Sequence, residues 1–230
     1  MIKKVFFKNK DEIKNALKNN CVVHAIPKIN IDDPDSFYFD LIGHIGKPFF
    51  SEEDFESKNK TGSLWSDIKY IKEKSSSFSF SNTRQPFHTD GAYEKEAPDI
   101  SFFYCIKSAQ FGGSTIFAET ELLLDCLNFY DKKIFDGIQN NLIRHFKGND
   151  EKLLPILKNK KWNWNYFRAE KSDLVEKFYC FLENIIYKSG MYQSVYLKER
   201  ECLLFWDKKV LHGRNAFLGD RHLRKAGIYV

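Results

Sequence analysis

The residues of this chain whose types and spacing could do chemistry are concentrated in residues 85–91, Gln-Pro-Phe-His-Thr-Asp-Gly. Within this segment His88 and Asp90 are two residues apart, so in an extended conformation both side chains leave the same face of the chain. One imidazole and one carboxylate suit iron(II), which accepts mixed nitrogen and oxygen ligands and keeps coordination positions open when three protein ligands occupy one face. The pair therefore predicts two ligands of a metal site that requires a third.

The candidate for the third ligand lies far downstream, in the apolar segment 203–214. Of the six histidines, His212 is followed by a group of basic residues, Arg214, Arg221, Arg224 and Lys225. Guanidinium groups bind carboxylates through paired, charge-assisted hydrogen bonds, so this group suits a carboxylate-bearing cosubstrate. His-x-Asp alone is common in proteins, and the hypothesis depends on the combination.

In combination, these motifs resemble the iron(II)- and 2-oxoglutarate-dependent dioxygenases of the taurine dioxygenase and clavaminate synthase-like group. The resemblance extends over roughly residues 40 to 230. The matching residues are His88-Thr89-Asp90, Pro98 with Phe103-Tyr104-Cys105, Gly112-Gly113-Ser114-Thr115, Trp206-Asp207, and His212-Gly213-Arg214 with Phe217, Gly219 and Arg221-His222-Leu223.

The resemblance implies a set of site residues. His88, Asp90 and His212 would bind iron(II), and Thr115 and Arg221 would hold the distal carboxylate of 2-oxoglutarate. The group usually has a second arginine four residues after the first, where this chain has Lys225. Whether Lys225 or Arg224 helps to hold the other carboxylate stays open, and Arg224 is an alternative main anchor because the spacing from His212 to Arg221 is short.

The resemblance also implies the fold and the reaction. The expected fold is mainly β with flanking α-helices, a double-stranded β-helix of the jelly-roll, cupin-like type, with residues 1–230 as a single domain. The expected cosubstrates are 2-oxoglutarate and O2, with succinate and CO2 as products. Asp90 retains the carboxylate that related halogenases replace with a small residue, which favours hydroxylation. Desaturation, cyclisation and a non-catalytic jelly-roll binding protein are the alternatives.

The sequence gives less specific signals for the residues that contact the substrate. Segments just before the His-x-Asp motif often line the substrate pocket of the group, which makes Asn82, Arg84 and Gln85 candidates for substrate contact. Residues 147–171 are polar and aromatic and predict a lid, whose residues 162–168 could instead stack on nucleic acid. We expect a small polar substrate such as a free amino acid or a derivative, by analogy with the group.

The amino-acid composition argues against other classes of protein. Hydrophobic residues make up 43% and charged residues 29% of the 230 residues, values typical of a globular domain with a sizeable core. The net charge of +5 is modest, so nucleic-acid binding is not favoured. No apolar run predicts a membrane span or a signal peptide, and the expected location is the cytoplasm. Five unpaired cysteines predict reduced thiols, and the oligomeric state stays open.

Periodicity predicts the main elements. Strands are expected near residues 5–7, 21–26, 100–106, 114–118 and 142–146, and helices over 11–17, from Asp33, over 120–138, and from Ser172 to near Gly190. Residues 195–197 and 202–206 are expected to pair around a charged turn, and residues 51–64 to form a surface loop.

Overall fold

The computed structural model describes residues 2–50 and 61–230, so most of the loop predicted over residues 51–64 lies outside the described residues. The helices are α1 (Lys10–Asn19), α2 (Pro34–Ile45), α3 (Thr120–Tyr130), α4 (Lys132–Asn140) and α5 (Asp173–Phe181). The strands are β1 (Ile2–Phe7), β2 (Val22–Pro27), β3 (Lys47–Phe49), β4 (Ser66–Lys69), β5 (Gln85–His88), β6 (Ile100–Lys107), β7 (Phe111–Gly112), β8 (Thr115–Ala118), β9 (Ile143–Lys147), β10 (Asp150–Leu154), β11 (Leu157–Lys158), β12 (Lys161–Trp162), β13 (Gln193–Val195), β14 (Cys202–Trp206), β15 (Leu211–Arg214), β16 (Phe217–Leu218) and β17 (His222–Tyr229).

Two sheets position the residues of interest. The larger sheet has the strand order β1-β2-β14-β6-β17-β3, with β4 also paired to β17, and the smaller has the order β13-β8-β15-β5. Apolar side chains fill the space between them: Phe205 of β14 contacts Phe103 of β6 and Phe117 of β8, with ring centroids 5.5 and 5.1 Å apart. The mainly β architecture with flanking helices is therefore confirmed. The described strands form separate facing sheets rather than one closed barrel, and the double-stranded β-helix stays a prediction.

Helices cover the outer face of each sheet. Ile13 of α1 and Tyr38 of α2 pack with Phe102 against the larger sheet, whereas α3, α4 and α5 pack against the smaller sheet around Phe178 and Trp164. Each of these five side chains is fully buried, and burial of one large apolar side chain contributes about 1.5–3 kcal/mol. The resulting order of layers is helix, sheet, sheet, helix, and the candidate site lies between the two facing sheets.

Helix capping explains where the predicted helices begin and where one prediction was wrong. Asp33 accepts the amide hydrogens of Asp35 and Ser36, and Ser172 accepts that of Val175, so both helices begin where the sequence predicts. The helix expected over residues 120–138 is interrupted at Asp131, whose backbone is extended and whose carboxylate caps α4. An N-cap aspartate inside a helical pattern therefore ends α3 and begins α4.

The expected pairing of residues 195–197 with 202–206 was also wrong. β13 pairs with β8 in the smaller sheet, whereas β14 pairs with β2 and β6 in the larger sheet. The intervening residues form a turn in which Arg200 has a φ of +68° and its amide donates to Cys105 O at 2.8 Å. The charged turn thus carries the chain from one sheet to the other.

Among the helices of the described residues, none combines the length and the apolar character needed to cross a membrane.

Candidate active site

Two neighbouring strands of the smaller sheet bring the predicted histidines together. β5 and β15 are antiparallel, and His88 of β5 lies directly opposite His212 of β15. Their ring centroids are 4.2 Å apart. Gly213 permits this close approach because a Cβ atom at that position would lie 2.7 Å from the carbonyl oxygen of Gln85. The glycine of the His-Gly-Arg motif therefore has a steric role beside the ligands.

Asp90 completes a group of three possible metal ligands. One ligand atom from each of His88, Asp90 and His212 lies within 4.8 Å of the others. The Nε2 atoms of His88 and His212 are 3.8 and 3.7 Å from the two carboxylate oxygens of Asp90. Both histidines are buried, with 7% and 3% exposure. This arrangement of two imidazoles and one carboxylate can hold a divalent metal ion such as iron(II).

Hydrogen bonds orient His88 for ligation. Its Nδ1 lies 2.9 Å from the carbonyl oxygen of Pro86, which can only accept a hydrogen bond, so Nδ1 carries the proton and Nε2 carries the lone pair. The side-chain amide nitrogen of Gln85 lies 3.0 Å from that Nε2 atom. Burial lowers the pKa of the His88 imidazole, which keeps it in the neutral form that metals bind.

The charge of Asp90 is balanced by neighbouring groups. Lys225 Nζ lies 2.6 Å from Asp90 Oδ1, and the Ser101 hydroxyl donates to Oδ2 at 2.8 Å. Burial raises the pKa of the Asp90 carboxyl, but the combined effect of Lys225, His212 and His88 is larger and opposite. The pKa of Asp90 therefore lies well below its usual range. Asp90 is therefore an anion at neutral pH.

Asp207 is a buried carboxyl beside two of the proposed ligands. Its Oδ1 accepts the backbone amide of Asp90 at 3.0 Å and lies 3.6 Å from His212 Nδ1. Burial lowers the pKa of His212 well below its usual value, with a further contribution from His88. The sequence analysis included Asp207 among the matching residues without giving it a role, whereas its carboxyl accepts the backbone amide of the proposed ligand Asp90. The fixed spacing of Trp206-Asp207 ahead of His212 was the available signal.

Thr115 and Arg221 meet in one small crevice, together with Gly113. Both side chains are buried, and among the described residues Arg221 Nη1 has no hydrogen-bond partner. Burial lowers the pKa of Arg221 to about 9, with nearby Arg214 adding to the effect. A buried guanidinium donor without a protein acceptor is costly, which suits a carboxylate ligand at this position.

The two candidate basic residues at 224 and 225 point in opposite directions. Lys225 lies on the same face of β17 as Leu223, between the sheets, beside Asp90. Arg224 lies on the other face, where its guanidinium pairs with Asp35 of α2 and lies 3.5 Å from Asp67 Oδ1. Arg224 is therefore an ion-pairing residue between α2 and the larger sheet, away from the crevice of Thr115 and Arg221.

A cavity of about 820 Å³ opens onto His88, Asp90 and Lys225. Of the three residues predicted to contact substrate, Gln85 lines this cavity and Asn82 and Arg84 do not. Arg84 instead pairs with Glu183 and lies 3.9 Å over the ring of Tyr187, where α5 continues as a π-helical turn over Leu182–Tyr187. Substrate contact by Asn82, Arg84 and Gln85 therefore stays a prediction, and Gln85 is the one of the three that lines the described cavity.

The predicted lid divides into a buried part and a cavity-lining part. Trp162 and Trp164 belong to the core around α5, with 1% and 0% exposure, so they are unavailable for stacking on a ligand or a nucleic acid. Asn165, Phe167 and Arg168 line the cavity. Trp162 and Trp164 are thus core residues, and a lid formed by residues 147–171 stays a prediction.

Arg214 organises the opposite wall of the cavity. Its guanidinium donates to the carbonyl oxygens of Phe78, Ser81 and Thr83 at 3.0, 2.7 and 2.7 Å. Phe78 lies in the cavity wall. Sequence reasoning grouped Arg214 with the carboxylate-binding arginines, and nothing in the sequence indicated that its partners would be backbone carbonyls.

Comparison with known proteins places this geometry in a family. Asparagine oxygenase in complex with Fe(II), 2S,3S-3-hydroxyasparagine and succinate has a similar fold, with a TM-score of 0.77, 14% identity, and coverage of 96% of this chain and 78% of that chain. PvcB, an Fe, alpha-ketoglutarate dependent oxygenase from an isonitrile synthetic pathway of Pseudomonas aeruginosa, has a TM-score of 0.68, 15% identity, and coverage of 96% and 80%.

A sequence relative and a family model complete the comparison. The 3-((Z)-2-isocyanoethenyl)-1H-indole synthase of Fischerella ambigua is 25% identical over 185 residues, which cover 69% of this chain and 68% of the relative. The model of the family named taurine catabolism dioxygenase TauD, TfdA matches residues 38–226. The chain therefore belongs to the taurine catabolism dioxygenase TauD, TfdA family, the iron(II)- and 2-oxoglutarate-dependent oxygenases that its sequence motifs resemble.

Proposed function

We propose that this protein hydroxylates an unactivated C–H bond of a small polar substrate, a free amino acid or a derivative, using iron(II), 2-oxoglutarate and O2. The observation that carries the proposal is the group of His88, Asp90 and His212, of which His88 and Asp90 line a cavity of about 820 Å³. In the balanced reaction one oxygen atom of O2 enters the substrate as a hydroxyl group. The other oxygen atom enters succinate as 2-oxoglutarate loses CO2. Reduction of O2 takes four electrons, of which the substrate supplies two and 2-oxoglutarate supplies two.

The chain's own residues prepare the metal site. His88 and His212 are neutral imidazoles because burial lowers their pKa values, and Asp90 supplies the anionic ligand. The hydrogen bond from His88 Nδ1 to Pro86 O orients one ring, and the Asp207 carboxyl lies 3.6 Å from Nδ1 of the other ring, that of His212. Bound iron would supply the redox chemistry with O2. The protein contributes the orientation of the ligands and a cavity beside them.

The cosubstrate would lie between the two sheets. Arg221 and Thr115 would hold the distal carboxylate of 2-oxoglutarate, since Arg221 Nη1 is a buried donor with no acceptor among the described residues. Lys225 would contact the carboxylate nearer the metal, because its ammonium group already lies beside Asp90. The ion pairs of Arg224 with Asp35 and Asp67 argue against a role for it in cosubstrate binding.

A second candidate reaction, desaturation, is favoured by one observation. The product named for the Fischerella ambigua relative contains a carbon–carbon double bond beside an isocyano group. In a desaturation, the substrate loses two hydrogen atoms, one oxygen atom of O2 leaves as water, and the other enters succinate. The same iron ligands and the same cosubstrate residues would serve both reactions, so the position of the substrate decides between them.

The experiment that tests the proposal is a screen for substrate-dependent succinate formation. Purified protein is supplied with iron(II), 2-oxoglutarate and O2, and the twenty L-amino acids and their N-formyl derivatives are added one at a time. We expect one or a few compounds to increase succinate formation, with a product heavier by one oxygen atom for hydroxylation or lighter by two hydrogen atoms for desaturation. His88→Ala, with the same additions, should give no increase.

Two results would contradict the proposal. One is iron-loaded wild-type protein that forms no succinate under any of these conditions. The other is a His88→Ala protein that forms succinate at the wild-type rate.

A further inference from the structure

Arg168 is a cationic side chain in the cavity wall that the proposed iron and cosubstrate chemistry does not use. Among the described residues its guanidinium has no hydrogen bond or ion pair, whereas the arginines other than Arg221, the proposed cosubstrate anchor, have partners. Arg144 pairs with Glu151, and Arg84 pairs with Glu183. An arginine that lines a cavity and has no partner in the protein is available to a ligand.

The backbone holds Arg168 at a fixed place relative to the metal ligands. Its amide donates to Asn165 O at 3.0 Å, and its carbonyl accepts the amide of Phe146 at 2.9 Å. The segment is also joined to the metal motif, because the amide of Thr89 donates to Trp164 O at 2.7 Å and the amide of Trp164 donates to Thr89 Oγ1 at 3.1 Å. The middle residue of His88-Thr89-Asp90 therefore connects the Arg168 wall to the site.

The charges that line the cavity favour a ligand with an anionic group. Among the described residues that line the cavity, five are lysine or arginine and three are aspartate or glutamate, so the positive charges outnumber the negative ones by two. Of the three acids, Asp90 lies beside Lys225, and Asp67 accepts hydrogen bonds from Lys69 and His222. The planar guanidinium of Arg168 matches a carboxylate through two parallel hydrogen bonds.

Two aromatic rings frame the same part of the cavity. The ring centroids of Phe78 and Phe167 are 5.2 Å apart, and they join the wall that Arg214 holds to the wall that carries Arg168. Phe167 is 53% exposed, so this contact lies at the rim. A carboxylate bound at the rim would leave the rest of an amino-acid-sized substrate directed towards the metal ligands on the cavity floor.

We propose that Arg168 is a specificity residue that binds the carboxylate of the substrate. This inference rests on the proposed function and narrows it to carboxylate-bearing amino acids or derivatives. Compounds in which the carboxylate is a neutral amide would then be poor ligands, whatever the reaction that follows.

The test compares acids with their amides. Iron(II)- and 2-oxoglutarate-loaded protein is kept without O2, and binding of the twenty L-amino acids, their N-formyl derivatives and the matching primary amides is measured by ligand-observed NMR. The variants are Arg168→Gln, Arg168→Lys and the control Arg144→Gln, which removes an exposed arginine of β9 paired with Glu151. Binding of 2-oxoglutarate and thermal unfolding are measured for every protein.

The expected result is an acid that binds wild-type and Arg144→Gln protein at least ten times more tightly than its amide. In Arg168→Gln this preference should fall to within about twofold, in Arg168→Lys it should be intermediate, and 2-oxoglutarate binding should be unchanged. Equal binding of acid and amide by the wild type, a preference retained by Arg168→Gln, or no binding by any acid would overturn the inference. Failure of wild-type protein to bind 2-oxoglutarate would instead count against the proposed function.

Discussion

At the scale of single residues, three groups of the site are left uncharged or without a full set of partners, those of His88, His212 and Arg221. The imidazoles of His88 and His212 are kept neutral by burial, which suits metal ligation. Arg221 is the opposite case, because it stays a cation at neutral pH although it is buried without an acceptor for Nη1. Each group is unfavourable for folding alone, and each would be stabilised by the ligand we propose for it.

Replacement of Arg221 tests the cosubstrate role. We expect Arg221→Met to raise the dissociation constant of 2-oxoglutarate about 100-fold, since loss of charge-assisted hydrogen bonds costs about 3 kcal/mol. Without 2-oxoglutarate, the variant should unfold at the same temperature as the wild type or higher, because a desolvated charge is removed. Calorimetric titration and thermal unfolding measure the two quantities.

Arg224→Met is the matched control for that experiment. Its side chain lies on the opposite face of β17 with Asp35 and Asp67, so 2-oxoglutarate affinity should stay within about twofold of the wild type. If Arg221→Met bound 2-oxoglutarate normally and Arg224→Met did not, the proposed anchor would be wrong.

At the scale of elements, short turns and strand pairings place these residues. Gly112 ends β7 and Gly113 follows it in the turn to β8, and their φ values of +71° and +75° favour glycine. A Cβ atom at Gly113 would lie 3.0 Å from the Cδ atom of Arg221. The turn is thus shaped to let the Arg221 side chain pass close to the backbone.

Gly113→Ala tests this role of the turn. The added methyl group should displace Arg221 and lower 2-oxoglutarate affinity about tenfold. The positive φ should also reduce the free energy of unfolding by about 1–2 kcal/mol. Gly148→Ala is the control, because its φ is +59° but nothing lies within 4 Å of the added Cβ atom. A similar loss of affinity in both variants would show that the contact with Arg221 is unimportant.

β9 carries a buried histidine that makes stability depend on pH. His145 is fully buried, its Nδ1 lies 3.2 Å from Asn163 Nδ2, and burial lowers its pKa to about 4. In the unfolded chain its pKa is about 6.5, so between these values the unfolded state binds more protons. The stability of the fold should therefore fall as the pH decreases from about 6.5 towards 4.

Chemical denaturation at pH 7 and pH 4.5 measures this effect. We expect His145 to account for about 2–3 kcal/mol of the loss of unfolding free energy between these two pH values. His145→Gln should lose correspondingly less over the same interval, although it is less stable at pH 7. An equal pH dependence in the two proteins would contradict the assignment.

The sequence predicted some of these elements correctly and missed others, and both outcomes have physical reasons. Strands such as β6 and β8, and the caps Asp33 and Ser172, have strong local signals, so they were predicted correctly. The break at Asp131 and the separation of β13 from β14 were missed. The Asp131 cap was missed because it lies within a continuous helical pattern. The partners of β13 and β14 were missed because strand pairing depends on contacts distant in sequence.

At the scale of the whole molecule, the site exists because two facing sheets bring together residues more than a hundred positions apart. The pairing of His88 with His212, and the position of Lys225 beside Asp90, depend on β5, β15 and β17 being in register. The resemblance of ordered motifs predicted this set. It could not predict that Arg84 pairs with Glu183, that Arg214 donates to three carbonyl groups, or that Arg168 lines the cavity with no partner in the part of the chain that the structure describes.

The most direct test of the central claim is titration of the iron(II)-loaded protein with 2-oxoglutarate in the absence of O2. The measured signal is the weak visible absorption of iron(II) chelated by 2-oxoglutarate. We predict that the absorption appears and saturates in wild-type protein, is absent in His88→Ala, and needs a much higher 2-oxoglutarate concentration in Arg221→Met. A folded, iron-loaded wild-type protein that never develops the absorption would contradict the account and favour a non-catalytic binding protein.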